Sequence, residues 1–338
     1  MQYNVVTIWC FCLFLSIVIS AVTVSQHEDS QCATHISCKC SYINTTNFTG
    51  VFADCSNLKL NYSPNFTRSV VGVNLSHNVL SSIPEGDLLP PGLLYLDLSY
   101  NKITHFSVNN SHPPFASNTQ LLSLDLSYNN ISLEVNTYFK GVFVNLQHLQ
   151  HLNISYNSND YKSYYCNDAA FEDLQSLQSL YIDAVENVTF GVGFSSLKNL
   201  SLLRTTGICT LVELKKNYFE NFPYLKAIDI SASDEWREIN NCALYTIETD
   251  TFKNLSNLEY LDISYHRQLG LCGLRNVING LPKSIKILKA QYLACEQGGS
   301  VSIYIQDIIN LRSTNITELY IDGNNIDRAE DDIFRYSP

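Results

Sequence analysis

The chain has 338 residues with a formal net charge of -11, and 45% of its residues are hydrophobic against 16% charged. That acidity argues against a surface that neutralises nucleic acid over the chain as a whole. The apolar share excludes intrinsic disorder and leaves ample side chain for a core.

From Val5 to Val24 the sequence carries no charge, and small residues around Ser20 and Ala21 offer a cleavage point, so residues 1–24 read as a secretory signal peptide. An uncleaved membrane anchor is the alternative, because about twenty apolar residues span a bilayer and no Lys or Arg precedes this run. No second stretch of that length follows, so further membrane contact would come only through segments absent from this sequence. The expected location is the secretory pathway, ending at the cell surface, outside the cell or in an endosomal lumen. Sequons at Asn44, Asn47, Asn61, Asn65, Asn74, Asn109, Asn130, Asn153, Asn187, Asn199, Asn254 and Asn315 fit export. A glycan needs water, so each modified Asn is expected at the surface.

Residues 25–67 hold Cys32, Cys38, Cys40 and Cys55. By residue type these four suit either zinc or disulfides, and export together with the lack of a second Cys-x-x-Cys favours disulfides.

From residue 68 to 338 one string recurs. Leu93, Leu96, Leu98, Asn101 and Ile103 set the template, with apolar residues at its first, fourth and sixth places and Asn at its ninth. It returns at Leu121, Leu124, Leu126, Asn129, Ile131 and at Leu149, Leu152, Ile154, Asn157, with an earlier copy around Val73 and Asn78 and a late one around Leu319 and Asn324. Looser copies centre on Leu180, Leu203, Ile228, Leu261 and Leu288, giving about ten repeats spaced roughly 23 to 33 residues apart. The alternating apolar residues predict short strands that stack into a parallel sheet over one continuous core. Asn78, Asn101, Asn129, Asn157 and Asn324 are expected to satisfy backbone groups inside the turns. Val185, Ile208, Ser233, His266 and Leu293 stand in that place in other repeats, where irregular loops are expected, either as repeat decay or as a binding surface. Phe139, Phe171, Phe219, Phe252 and Phe334 are expected to fill the opposite side of the coil.

LDLSYNKI, LDLSYNNI and LNISYN, with Phe171, Leu174, Leu177 and Phe252, Leu255, Leu258 at matching spacing, resemble extracellular leucine-rich repeats of the Toll-like receptor type. The resemblance covers about residues 31–338. It implies an α/β leucine-rich repeat solenoid, a horseshoe with a curved parallel β-sheet on its concave face and an N-terminal cysteine cap. Such a cap covers the apolar face of the first coil, and in similar caps the pairing is Cys32 with Cys40 and Cys38 with Cys55. The implied function is an innate immune pattern-recognition ectodomain. Its partners would be a protein, lipid or glycan ligand of microbial or host origin and another receptor chain, in a homo- or heterodimer. No cofactor or metal is implied, and nucleic acid is a disfavoured ligand. A secreted matrix or adhesion repeat protein, or a soluble decoy or co-receptor, is the alternative. The ending at Pro338, without a closing cysteine cluster, reads as a fragment of such a receptor.

The remaining cysteines, Cys166, Cys209, Cys242, Cys272 and Cys295, are odd in number, so at least one lacks an intrachain partner among them. Cys242 with Cys272 is the expected pair and Cys272 with Cys295 its rival. For a ligand surface, Tyr100, Tyr128, Tyr156, Tyr265 and Tyr292 recur at the eighth place. Stiff amphipathic rings suit partner binding, although these residues also belong to the repeat's own string. Arg204, Lys226, Lys286 and Lys289 add positive charge in later repeats, Trp236 lies in a longer loop, and glycans on Asn74 or Asn153 would obstruct the concave face. No nucleophile elbow, zinc-protease or phosphate-loop pattern occurs, and Gly191-x-Gly193 lacks the third glycine of a dinucleotide loop, so no enzyme activity is expected.

Overall fold

The computed structural model describes residues 23–25, 32–34, 36, 38–44, 49–85, 88–106, 115–132, 137–157, 168–184, 190–232, 244–293 and 301–330. Each repeat contributes one short strand centred on its fourth place. These strands are β4 (Val70–Asn74), β5 (Tyr95–Asp97), β6 (Ser123–Asp125), β7 (His151–Asn153), β8 (Ser179–Tyr181), β9 (Leu202–Arg204), β11 (Ala227–Asp229), β13 (Tyr260–Asp262), β14 (Ile287–Lys289) and β16 (Glu318–Tyr320). With β1 (Thr23–Ser25), β2 (Lys39–Asn44) and β3 (Thr49–Asp54) they form one thirteen-stranded sheet, parallel from β3 onward. Two small parallel pairs lie apart from it, β10 (Glu213–Leu214) with β12 (Thr246–Ile247) and β15 (Val301–Ile303) with β17 (Ile326–Ala329). The chain is thus a leucine-rich repeat solenoid.

Register follows from the repeat. Leu96 pairs with Leu124, Leu124 with Leu152, and Leu152 with Leu180, so like residues stack on like along the sheet. The fourth-place residues from Val73 to Leu288 are buried, and each such side chain stabilises the fold by about 1.5 to 3 kcal/mol relative to exposure. On the far side of the coils an aromatic row fills the core, with Phe171 against Phe194 at 4.9 Å and Phe219 against Phe252 at 5.7 Å between ring centres. Phe139 is only partly buried; its neighbour Tyr138 is fully buried and packs on Phe171 instead. Phe334 lies outside the described residues.

The cap is a β2–β3 antiparallel hairpin closed by Cys32–Cys40 and Cys38–Cys55. Bridges closing such short loops contribute on the order of 2 to 3 kcal/mol each. β1 pairs with β2 from Thr23 to Ser25. A leader ending at residue 24 would therefore remove most of this strand, whereas a cut at Ser20 or Ala21 keeps it. Residues 1–22 lie outside the described ones. Cys209 is disulfide-bonded, and Cys166, Cys242 and Cys295 fall outside the described residues.

The expected Cys242–Cys272 bridge is corrected, because Cys272 carries a free, exposed thiol, which also removes Cys295 as its partner. The physical reason is local structure. Cys272 sits not in a loop but in helix α1 (Gly270–Asn279), whose Gly273, Leu274, Val277 and Ile278 face inward and leave residue 272 on the solvent side.

A row of amides joins the coils at their turns. Asn101 Oδ1 accepts from Leu80 N at 3.0 Å while its Nδ2 donates to Leu75 O at 2.9 Å and Leu98 O at 3.0 Å. Asn129 does the same with Ile103 N and the carbonyls of Leu98 and Leu126, and Asn157 with Ile131 N and Leu126 O. Asn78 and Asn324 close the described ends of this row.

Where the ninth-place Asn is missing, the expected irregularity is partly repaired. His266 is fully buried and donates from Nε2 to Ile230 O at 2.7 Å, taking over the amide's donor role. Asp183, two residues ahead of the ninth place, accepts from Tyr156 N at 2.6 Å, Asn157 N at 2.8 Å and Ile208 N at 2.8 Å. Gly207 leaves it room, since a Cβ there would strike the Asp183 carboxylate. Leu293 contributes only its backbone, its N–H held by Asn324 at 2.6 Å and its carbonyl accepting from Gly270 N at 3.0 Å. Val185 and Ser233 lie outside the described residues.

Asn129→Ala leaves buried backbone groups unpaired and is expected to destabilise the solenoid by about 2 to 4 kcal/mol in urea unfolding. The exposed neighbour change Asn130→Ala should stay within about 0.5 kcal/mol. Cys272 should react with N-ethylmaleimide in the folded chain, as read by peptide mass, and Cys272→Ser should abolish that adduct.

Candidate functional site

The residues flanking each fourth-place leucine turn away from the core and make the concave face. At the fifth place stand Asp54, Asn74, Asp97, Asp125, Asn153, Tyr181, Arg204, Asp229, Asp262, Lys289 and Tyr320, brought side by side by the strand register. This row divides in two. Up to Asn153 it is carboxylate and amide throughout, whereas from Tyr181 onward rings and cations enter.

The acidic residues have a structural task as well. Each accepts from the backbone two residues on, as in Ser99 N to Asp97 at 2.9 Å, Ser127 N to Asp125 at 2.8 Å and Ser264 N to Asp262 at 3.0 Å. This local bond tightens the exit of the strand and explains why Asp-x-Ser recurs. Its electrostatic consequence is crowding. Asp97 and Asp125 are directly paired across adjacent strands. Burial, and after it the neighbouring Asp97, pushes the Asp125 carboxyl up to about 7, while bonds from Ser127 and Asn153 oppose the shift. Burial raises Asp97 too, against bonds from Ser99 and the attraction of His77. His151, at the third place of its repeat on β7, is shifted down by burial, and its Nδ1 lies 2.8 Å from Ser179 Oγ.

The eighth-place tyrosines form stacks instead of isolated contact points. His77, Tyr100, Tyr128 and Tyr156 lie ring on ring at 4.2, 4.0 and 4.1 Å with interplanar angles of 12° or less. Tyr265 and Tyr292 make a second, looser stack at 5.1 Å. All of these residues have positive φ, between 52° and 68°, a conformation costing about 1 to 2 kcal/mol in a side-chain-bearing residue, which the stacking offsets. Tyr156 also donates from its hydroxyl to Thr206 O at 3.0 Å. Only Tyr100, at 42%, is largely exposed within the tyrosine stack. These tyrosines are therefore a structural seam with an exposed edge.

The basic candidates separate. Arg204 lies over Tyr181, 5.4 Å from the ring centre, and binds Asp229 through Nε and Nη2 at 2.7 Å each. Lys289 lies between Tyr260 and Tyr320, 5.4 and 5.6 Å from the two ring centres. Lys226, exposed at the second place of its repeat, sits off this row beside Glu259, which pairs with Lys286 at 2.9 Å. Trp236 lies outside the described residues.

The sequons sort by burial. Asn61, Asn65, Asn130, Asn199, Asn254 and Asn315 are exposed and Asn74 is half-buried. Asn153 is corrected as a glycan site, since it is 7% exposed, its Nδ2 donates to Asp125 Oδ2 at 3.1 Å and its Oδ1 accepts from Ser155 Oγ at 2.7 Å. Little of its amide faces water. Asn44, Asn47, Asn109 and Asn187 have no described side chain.

Residues 117–134, the third copy of the string, match the family described as Leucine Rich repeat. A Toll-like receptor 4 of Pinctada imbricata is 31% identical over 144 residues, 42% of this chain and 15% of that relative. The crystal structure of a TLR13–ssRNA13 complex superposes with a TM-score of 0.52 over 75% of this chain and 36% of that one, at 21% identity. The chain is a leucine-rich repeat protein that resembles a Toll-like receptor ectodomain. It spans well under two thirds of either receptor's own length. Among the described residues no helix is long and apolar enough to cross a membrane, and no cluster of His, Cys, Asp and Glu is placed to hold a metal ion.

Reading the sequence alone missed Tyr181, Tyr260 and Tyr320 as face residues, because they vary in place between the third and fifth positions. The third-and-fifth rule for outward strand residues would have found them. His151 escaped in the same way.

The folded chain holds Asp125 protonated over a range where the unfolded chain has lost that proton, between the ordinary carboxylate pKa and about 7. Stability contributed here is thus present at acid pH and lost as pH rises through 7. Asp125→Asn is expected to raise the thermal midpoint at about pH 8 and leave it nearly unchanged at about pH 4, as followed by circular dichroism.

Proposed function

We infer that this solenoid is the ligand-recognising part of an exported innate immune receptor. It takes a microbial or host molecule on its surface and signals by pairing with a second receptor chain. The observation that carries the reading is the match to a Toll-like receptor over 144 residues, on a capped solenoid whose concave face offers a varied polar and aromatic row. Export is supported by the leader-like N-terminus, by the two cap disulfides, which belong to oxidising compartments, and by sequons that stand exposed on the folded surface. The solved neighbour is a complex with RNA. This chain's net charge of -11 and the carboxylates on its concave face speak against a polyanion of that kind here.

Sequencing the transcript through its 3′ end tests the receptor reading. Further repeats, an apolar span and an intracellular domain are expected, and a stop codon directly after Pro338 in an intact transcript would overturn signalling by this chain. Expression through the secretory pathway is expected to yield glycans on Asn130, Asn199, Asn254 and Asn315 and none on Asn153, as read by glycopeptide mass spectrometry.

A further inference from the structure

The second half of the concave row has a chemistry of its own. Tyr181, Arg204, Tyr260, Lys289 and Tyr320 place rings and cations on β8, β9, β13, β14 and β16, with Asp229 of β11 between Arg204 and Tyr260. Strands lie about 4.8 Å apart, which puts Tyr260 and Tyr320 about 10 Å apart with Lys289 between them, and Tyr181 about 14 Å further along.

Most polar groups of this strip are already engaged. Arg204 holds Asp229, which is 4% exposed. Asp262 accepts from the Tyr260 hydroxyl at 3.1 Å and from Ser264 N. Glu318 accepts from the Tyr320 hydroxyl at 2.7 Å. Lys289 alone among the strip's charges has neither a carboxylate nor a hydrogen-bond partner among the described residues, although Asp262 lies opposite it on the next strand. Its ammonium is half-buried between two ring faces, where an incoming anion would be held more tightly than at an open surface.

We propose that this strip is a binding site for a short acidic oligosaccharide, with sugar faces on Tyr260 and Tyr320 and a carboxylate on Lys289. Three observations select that ligand. The flat apolar face of a pyranose ring stacks on an aromatic face, and the strip offers rings at intervals across its two columns. The strip is only the two outward columns wide, too narrow for the roughly 800 Å² per partner of a stable protein interface. The adjoining half of the row, from Asp54 to Asn153, is carboxylate and amide, so a long polyanion following the whole face would be repelled. The ligand is therefore short and confined to the later repeats. This proposal rests on the receptor reading above and names the ligand class of its concave face.

The test is calorimetry on the secreted, glycosylated chain with tetragalacturonate as probe, cellotetraose as neutral sugar and hexaglutamate as acidic peptide. Tetragalacturonate should bind, weakening with added salt, and cellotetraose should bind at least about tenfold more weakly. Lys289→Met should cost about tenfold in affinity, and Tyr320→Ala severalfold, each with an unchanged circular dichroism spectrum. Lys226→Met, off the strip, should leave affinity unchanged. Equal binding of cellotetraose, tighter binding of hexaglutamate, or a Lys289→Met variant that folds and binds normally would each overturn the proposal. So would no binding of tetragalacturonate at millimolar concentration. None of these results touches the receptor reading, which stands or falls on the transcript.

Discussion

A solenoid buries the turns of its own backbone, and a buried N–H or C=O without a partner costs about 1 to 3 kcal/mol. Each coil here turns against its neighbours, out of reach of water, so the fold depends on a side chain that both donates and accepts at that point. The Asn amide is such a group. Asn101 and Asn129 each span two coils with one side chain, accepting from the preceding coil and donating both to that coil and to its own. The leucines supply the apolar area, but it is this polar seam that requires the coils to stack in one register.

The same constraint shows why the middle of the chain was harder to read. Asn at a fixed spacing is visible in a string of letters, as is the alternation of Leu around it, and so the solenoid, its cap and its strand positions were legible. Asp183 and His266 solve the identical problem with different atoms and from different offsets. A carboxylate accepts three N–H groups at one gap, and an imidazole donates at the other. Neither could be assigned that task without knowing which backbone groups were left over. Cys272 was misjudged for a related reason, since its place past the ninth position suggested a loop where a helix forms.

The candidate surface was legible in part. The tyrosine column was visible from its repetition, yet repetition is the mark of a structural part, and the rings proved to be stacked on one another. The varied chemistry of the face sits instead at the third place and at those fifth places where Asp gives way to another residue. Tyr181, Tyr260 and Tyr320 carry no periodic signal, and only the register of the sheet gathers them with Arg204 and Lys289. Conversely, the recurring Asp of the fifth place, conspicuous in sequence, is tied up in local turns and like-charge crowding.

The ring stacks also bear on shape. From His77 to Tyr156 the rings sit 4.0 to 4.2 Å apart, closer than the about 4.8 Å between strands, so this edge of the coils is drawn together while the aromatic-filled far side holds them apart. In the later pair the spacing is 5.1 Å, and the pinch relaxes. The spacing of this edge is thereby set pair by pair at a single sequence position, closer toward the cap and wider in the later pair. A change from Tyr at one eighth place would alter the arc locally and shift the orientation of everything downstream, as one altered voussoir tilts the rest of an arch.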